Sequence, residues 1–305
     1  MTVERAESAT GWSELVRAQP APPLSGLVSG FCGYRERSAA VVRRLQPATS
    51  IIPVIISFGD PLTIDQPGAV GCAGRFESFT AGLHGGFAVT EYLGGQHGVQ
   101  FDLSPMAAFR IFGMPGSAIA DHIVGLDDVA PELGRSLPDR LASASGWPER
   151  FDIVEAALAL LAERGPLSDP TVEWMWAELA RTHGAVRITD LVDGAGWSHR
   201  HLTARFRSQV GITPKAAAGI LRFEHASSVL ASAGMGLAQI ADLCGYADQS
   251  HLNRDFRRYA DTTPAAMRRC ADTTLTAVAA PAEQAPPDPE GNARAFGTYR
   301  PAPAG

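Results

Sequence analysis

An α+β region of antiparallel strands followed by helices, and then an all-α region with two helix-turn-helix units, is the fold that the 305-residue sequence predicts. Three observations predict it. Short β-leaning runs separated by glycines fill the stretch from Leu24 to Pro105. Helical periodicity takes over after Pro105. Between Arg187 and Arg269 one segment recurs: Gly196 to Pro214 reads GWSHRHLTARFRSQVGITP and Gly245 to Pro264 reads GYADQSHLNRDFRRYADTTP, with Leu202, Phe206 and Pro214 returning as Leu252, Phe256 and Pro264 at an offset of 50.

Taken in order, residues 1–25 mix charge with the Pro-rich run AQPAPPL and are expected to be a poorly ordered lead-in. Residues 26–165 are expected to form one α+β domain, whose stretch GVQFDLSPMAAFRIFGMPGSAIADHIVGLDDV resembles the N-terminal sensor-like domains of some bacterial regulators, which implies a regulatory role. Its strands are Ile51–Phe58, Phe87–Leu93 and Val99–Leu103, in a compact antiparallel sheet or partial barrel, with Gly94 to Gly98 as a hairpin turn. Helices are expected at Met106–Phe112, Gly116–Ile123, Pro131–Leu141 and Phe151–Arg164, the last with Val154, Ala157, Leu158 and Leu161 on one side.

Nothing in this half marks an enzyme. His84, Glu91 and His97 lack the spacing of a metal-binding His-x-His with a following Glu, and there is no G-x-S-x-G, phosphate loop or dinucleotide fingerprint. Cys32, Cys72, Cys244 and Cys270 are too dispersed for a zinc site; Cys244 reads as a small core residue. No cofactor is called for.

Gly165 to Pro170 breaks the chain with two prolines and a glycine, and opens a second domain, 166–271. Asp169-Pro170 supplies a cap and first position for a helix over Thr171–His183. Trp174 and Trp176 on it are two residues apart and cannot share a face, so at least one is core.

The repeat has one grammar. Ile188–Ala195 and Leu237–Leu243 run into a glycine that stops a right-handed helix. Ser198 is placed to cap the next segment. That segment has a narrow apolar edge, Leu202 with Phe206, repeated as Leu252 with Phe256. At about 100° per residue, anchoring this edge inward points Arg200, Thr203, Ala204 and Arg207 outward in the first copy, and Ser250, Asn253, Arg254 and Arg257 in the second. Arginine can bridge guanine O6 and N7, asparagine can pair with adenine, and further arginines can hold phosphates. Helix, turn and outward-facing second helix suit a major groove. One such face alone is as well explained by solvation; two with matched turns are not.

The second copy, IADLCGYADQSHLNRDFRRYADTTPAAMRR, resembles the DNA-binding domain of AraC-family transcriptional regulators in its glycine-aromatic turn, Gln-Ser pair, Leu-x-Arg-x-Phe helix and closing Thr-Pro. The resemblance implies two helix-turn-helix units joined by one long helix from Pro214 to about Leu230, with Leu221-Arg222 and Ala226 fitting the pattern there. It implies base reading by Arg200, Thr203 and Ala204 and by Gln249, Ser250, Asn253 and Arg254. Phosphate contacts would come from Ser198, Arg207, Arg257, Arg258 and helix N-termini. Two departures stand out: the arginine of the first unit is moved one place, to Arg205, and the glycine before the closing Thr-x-Pro is Asp261, a residue that tolerates left-handed backbone.

Composition agrees with this division. The net charge is −6, yet residues 171–271 hold twelve Lys/Arg against nine Asp/Glu, leaving the acidic excess elsewhere. Binding is therefore expected to depend on placed arginines. No signal peptide and no apolar run of about 20 residues is present, so the expectation is a cytoplasmic location and no membrane. Residues 272–305 are Pro/Ala-rich and expected to be disordered. The expected partner is double-stranded DNA at an operator or promoter, with RNA polymerase, a small-molecule effector and a second copy of the chain as further candidates. Two rivals are a catalytic or alkyl-accepting N-terminal half fused to a DNA-binding module, which would want clustered cysteines, and a non-specific DNA-packaging protein, which would want a far more basic domain.

Overall fold

The computed structural model describes residues 1–66, 73–232 and 234–273. Its N-terminal part is an antiparallel sheet made of β1 (Thr2–Ser8), β2 (Gly11–Ala18), β3 (Val28–Gln46), β4 (Ile52–Ser57), β5 (Leu62–Asp65), β6 (Gly74–Phe76), β7 (Phe79–Ala81), β8 (Ala88–Leu103) and β9 (Ile123–Gly125). The strand order is β1-β2-β3-β8-β4-β7-β9, with β5 pairing both β8 and β6. The long strands β3 and β8 are the spine. A register shift between Ser38 and Val42 interrupts their ladder, and such an irregularity bends a strand and raises its twist.

Alternation along the strands gives the sheet two apolar faces. Leu15, Tyr34, Ile55, Leu62, Ile64 and Tyr92 cluster on one. Val16, Phe31, Val54, Val99 and Phe101 belong to the larger core on the other. On the first face lies a buried ion pair, Arg44 Nη1 and Nη2 donating to Glu36 Oε1 and Oε2 at 2.9 and 2.7 Å. The two-pronged geometry offsets the cost of taking both charges out of water.

Several sequence expectations are corrected here. Residues 2–18 are not a loose lead-in: β1 and β2 form a hairpin from Thr2↔Arg17 to Ser8↔Gly11, and β2 pairs with β3. Leu15 and Val16, buried on opposite faces, hold it down. Gly94 to Gly98 is not a hairpin turn but the middle of β8, paired with Ser38 to Tyr34. Gly94 has φ 101, which lets the strand bend where a side chain would be strained. Gly116–Ile123 is not a helix: a single 3-10 turn, Gly116–Ala118, is followed by β9.

The helices are α1 (Pro105–Phe112), α2 (Leu126–Val129), α3 (Pro131–Gly134), α4 (Leu137–Ser143), α5 (Trp147–Arg164), α6 (Pro170–Arg181), α7 (Ile188–Ala195), α8 (His199–Val210), α9 (Pro214–Ser232), α10 (Leu237–Leu243), α11 (Gln249–Ala260) and α12 (Pro264–Thr273). Ser104 caps α1 through its hydroxyl, which accepts from Ala107 N at 3.1 Å. α5 covers the sheet by stacking Phe151 on Phe31 at 5.8 Å between ring centroids. Asp169 caps α6, its Oδ1 accepting from Thr171 N at 2.9 Å. Of the two tryptophans on α6, Trp176 packs against Phe206 at 6.3 Å and Trp174 remains 41% exposed. The expected disordered tail, and Cys72, lie outside the described residues apart from residues 272 and 273, which continue α12.

Candidate nucleic-acid interface

Two helix-turn-helix units, α7 with α8 and α10 with α11, are joined by α9. They are built alike because their sequences are alike. Gly196 and Gly245, at φ 66 and 73, take the left-handed turns after α7 and α10. The next helix is capped by Ser198 Oγ, accepting from His201 N at 3.3 Å, and in the second unit by Asp248 Oδ1, accepting from His251 N at 2.7 Å. The aromatic residue after each glycine sets its ring edge against the histidine of the following helix: Trp197 against His201 at 4.7 Å, Tyr246 against His251 at 5.0 Å. Each helix ends in a left-handed or near-left-handed residue, Gly211 at φ 101 and Asp261 at φ 47. Thr213 and Thr263 then cap α9 and α12, each Oγ1 accepting from the amide three residues on at 3.2 Å.

The apolar edge of each second helix is fully buried. Leu202 and Phe206, like Leu252 and Phe256, are 0% exposed. Burial of each such side chain is worth about 1.5–3 kcal/mol, so the rotation of α8 and α11 about their axes is fixed. Of the sequence-predicted base-reading residues, Arg200, Ala204, Gln249, Ser250 and Arg254 are exposed, and Thr203 and Asn253 are half-buried. Among the predicted phosphate-contacting residues, Ser198, Arg207, Arg257 and Arg258 are exposed. Two already have protein partners. The Ser198 hydroxyl is the cap described above, and Arg258 Nε donates to Gly85 O of the N-terminal half at 3.0 Å.

Other contacts from the N-terminal half seat both units. The first is met by α1 and by the turn at Gly116, where any Cβ would collide with Gln209 O. Gln209 is buried, and its Oε1 accepts from Asp169 N at 3.0 Å. The second unit and α9 are met by the loop after β3. Ala48 N donates to Tyr259 O at 2.8 Å, and Glu224 Oε1 accepts from Ser50 N at 2.8 Å and from Thr49 Oγ1 at 2.9 Å. Burial pushes the Glu224 carboxyl up, although these donors work against it. Sequence reasoning missed both Glu224 and Asp248: an aspartate just before a helix is a cap signal that could have found the second, and nothing local marks the first.

Comparison with known proteins places residues 191–270 under a family described as a helix-turn-helix domain. The xylose operon regulatory protein of Escherichia coli K12 is 30% identical over 100 residues, 32% of this chain and 25% of that protein. The chain thus spans about a quarter of the length of this relative. A probable transcription factor of Proteus vulgaris, PqrA, is 28% identical over 97 residues, 32% of this chain and 79% of its own. Among solved structures, ToxT from Vibrio cholerae covers 88% of this chain and 100% of its own at 9% identity and a TM-score of 0.45. Residues 191–270 are accordingly a helix-turn-helix domain.

Proposed function

We propose, from the helix-turn-helix domain at residues 191–270 and the resemblance of its second unit to AraC-family regulators, that the chain is a sequence-specific DNA-binding transcriptional regulator whose N-terminal half modulates binding. The observation that supports it best is the matched construction of α8 and α11. Each has a buried Leu/Phe edge, and each turns toward solvent the polar and basic residues that a major groove can accept. In this proposal α8 and α11 enter successive major-groove segments on one face of the duplex, about 34 Å apart, with α9 holding the spacing. Arg200, Thr203 and Ala204, with Gln249, Ser250, Asn253 and Arg254, face base edges. Arg207, Arg257, Arg258 and the helix end at Ser198 face phosphates. The proposed domains are 26–165 for regulation and 166–271 for DNA, and the proposed location is the cytoplasm. Among the described residues no helix is long and apolar enough to cross a membrane.

The experiment is selection of bound sequences from a random duplex pool by the full chain at two salt concentrations. Recovery of two short blocks about one helical turn apart supports the proposal. A pool that stays random, with affinity collapsing as salt rises, means phosphate-only binding and overturns it.

A further inference from the structure

On the α5 side of the sheet, where β2, β3 and β8 approach the end of β4, there is a cavity of about 510 Å³ whose lining includes Trp12, Arg35, Arg37, Phe58, Asp60 and His97. Trp12, Phe58 and His97 put rings on a wall that is otherwise charged, polar or glycine. Arg35 lies over the Trp12 ring at 5.2 Å, and neither Arg35 nor Arg37 has an ion pair among the described residues. Just beyond, Arg150 is held by Leu141 O and Ala144 O at 2.9 and 3.1 Å and lies over Trp147 at 4.9 Å and Phe58 at 5.6 Å.

Acidic groups nearby are already engaged. Asp60 Oδ2 accepts from Gly95 N at 2.7 Å. Glu14 accepts from Trp147 Nε1 at 3.0 Å and from Arg5 Nε at 2.7 Å, and Glu36 is paired with Arg44. His97 packs between Phe58, at 4.1 Å, and Trp147, at 5.6 Å, and its Nε2 is buried with no hydrogen-bond partner. A buried polar atom of this kind is uncommon in a finished core.

We propose that this cavity is a binding site for a small flat aromatic carboxylate, its ring against Trp12 and Phe58 and its anionic group held by Arg35 and Arg37. Arginine presents a planar fork of donors that matches a carboxylate and also stacks on rings, and a few precisely placed polar groups beside rings are what fixes the orientation of a small ligand. The site lies on the α5 side of the sheet, and Glu36, held by Arg44, also borders it. It stands independently of the DNA-binding proposal. Burial, reinforced by Arg150 and Arg35, lowers the His97 imidazole to about 4, so the ring is neutral near pH 7. An anion seated beside these arginines would offset their charge and bring that value back up.

Calorimetric titration of the full chain with cinnamate, cinnamyl alcohol and acetate tests the site. Cinnamate is expected to bind at least about tenfold more tightly than either the uncharged alcohol or the ringless acetate, a difference of about 1.4 kcal/mol. Arg35→Gln and Trp12→Leu change exposed side chains and are each expected to weaken cinnamate by a similar factor with the melting temperature unchanged. Cinnamate should also raise the His97 pKa read by NMR. Equal binding of cinnamate and the alcohol, undiminished binding by both variants, or no heat with cinnamate at millimolar concentration overturns the proposal.

Discussion

Arg205 Nη2 lies 2.9 Å from Asp169 Oδ2, which ties the first candidate recognition helix to the residue that caps α6. The same aspartate thus satisfies the helix end through one oxygen and the arginine through the other. Burial works to raise the Asp169 carboxyl, but the Arg205 guanidinium and the Thr171 amide prevail and hold it below its ordinary value.

This contact predicts that Arg205 holds structure and does not read bases. Arg205→Ala should lower stability by less than about 1 kcal/mol, as expected for a half-exposed pair, and leave the selected DNA sequence unchanged. Asp169→Ala, which removes the cap as well, should cost about 1–2 kcal/mol. Chemical denaturation of both variants, with sequence selection by the first, checks this; a changed base preference in Arg205→Ala would place that side chain in the groove.

Arg254 is exposed on the outer side of α11. Arg254→Ala is expected to weaken specific binding by about 1–3 kcal/mol and to relax preference at one base pair. An unchanged specific affinity removes it from the reading face.

Salt dependence separates the three outer arginines. Arg207→Ala and Arg257→Ala should each lower the slope of log K against log salt by about 1. Arg258→Ala should lower it less, because its Nε is committed to Gly85 O. Binding isotherms across a salt series read the slopes directly.

Asp102 gives a prediction with pH. Burial pushes its carboxyl up to about 6, against the pull of Gln100 Nε2, which donates to Oδ1 at 2.9 Å. The folded value lies above the unfolded one, so the favourable contribution of this group is complete below about 4 and is lost as pH rises through about 6. Asp102→Asn, which keeps the acceptor, should therefore match the parent at pH 4 and exceed it by on the order of 2–3 kcal/mol at pH 7. Denaturation at the two pH values decides it.

How much of this was legible depended on distance along the chain. The buried Leu202/Phe206 and Leu252/Phe256 edges, the turn glycines, the Asp169 cap and the left-handed Asp261 all follow from residues a few places apart, and periodicity exposes them. The hairpin of β1 and β2 did not show, because every residue of Thr2–Glu7 is exposed and an edge strand of that kind has no apolar alternation. The glycines at Gly94 and Gly95 read as a turn because the bend they permit is dictated by the partner strand β3. Glu224 with Thr49, and Arg258 with Gly85, join residues more than 170 positions apart; nothing local marks them.

The two candidate recognition helices are gripped by different pieces of the N-terminal half: α8 by α1 and the turn at Gly116, α11 by Ala48 through Tyr259 and by Gly85 through Arg258. Their separation is consequently measured twice, once along the rod of α9 and once across the sheet. A molecule gauged in this way behaves as a caliper with two screws. A shift confined to the loop at residues 48–50 would move one jaw and leave the other seated, altering the stride between the two proposed groove contacts.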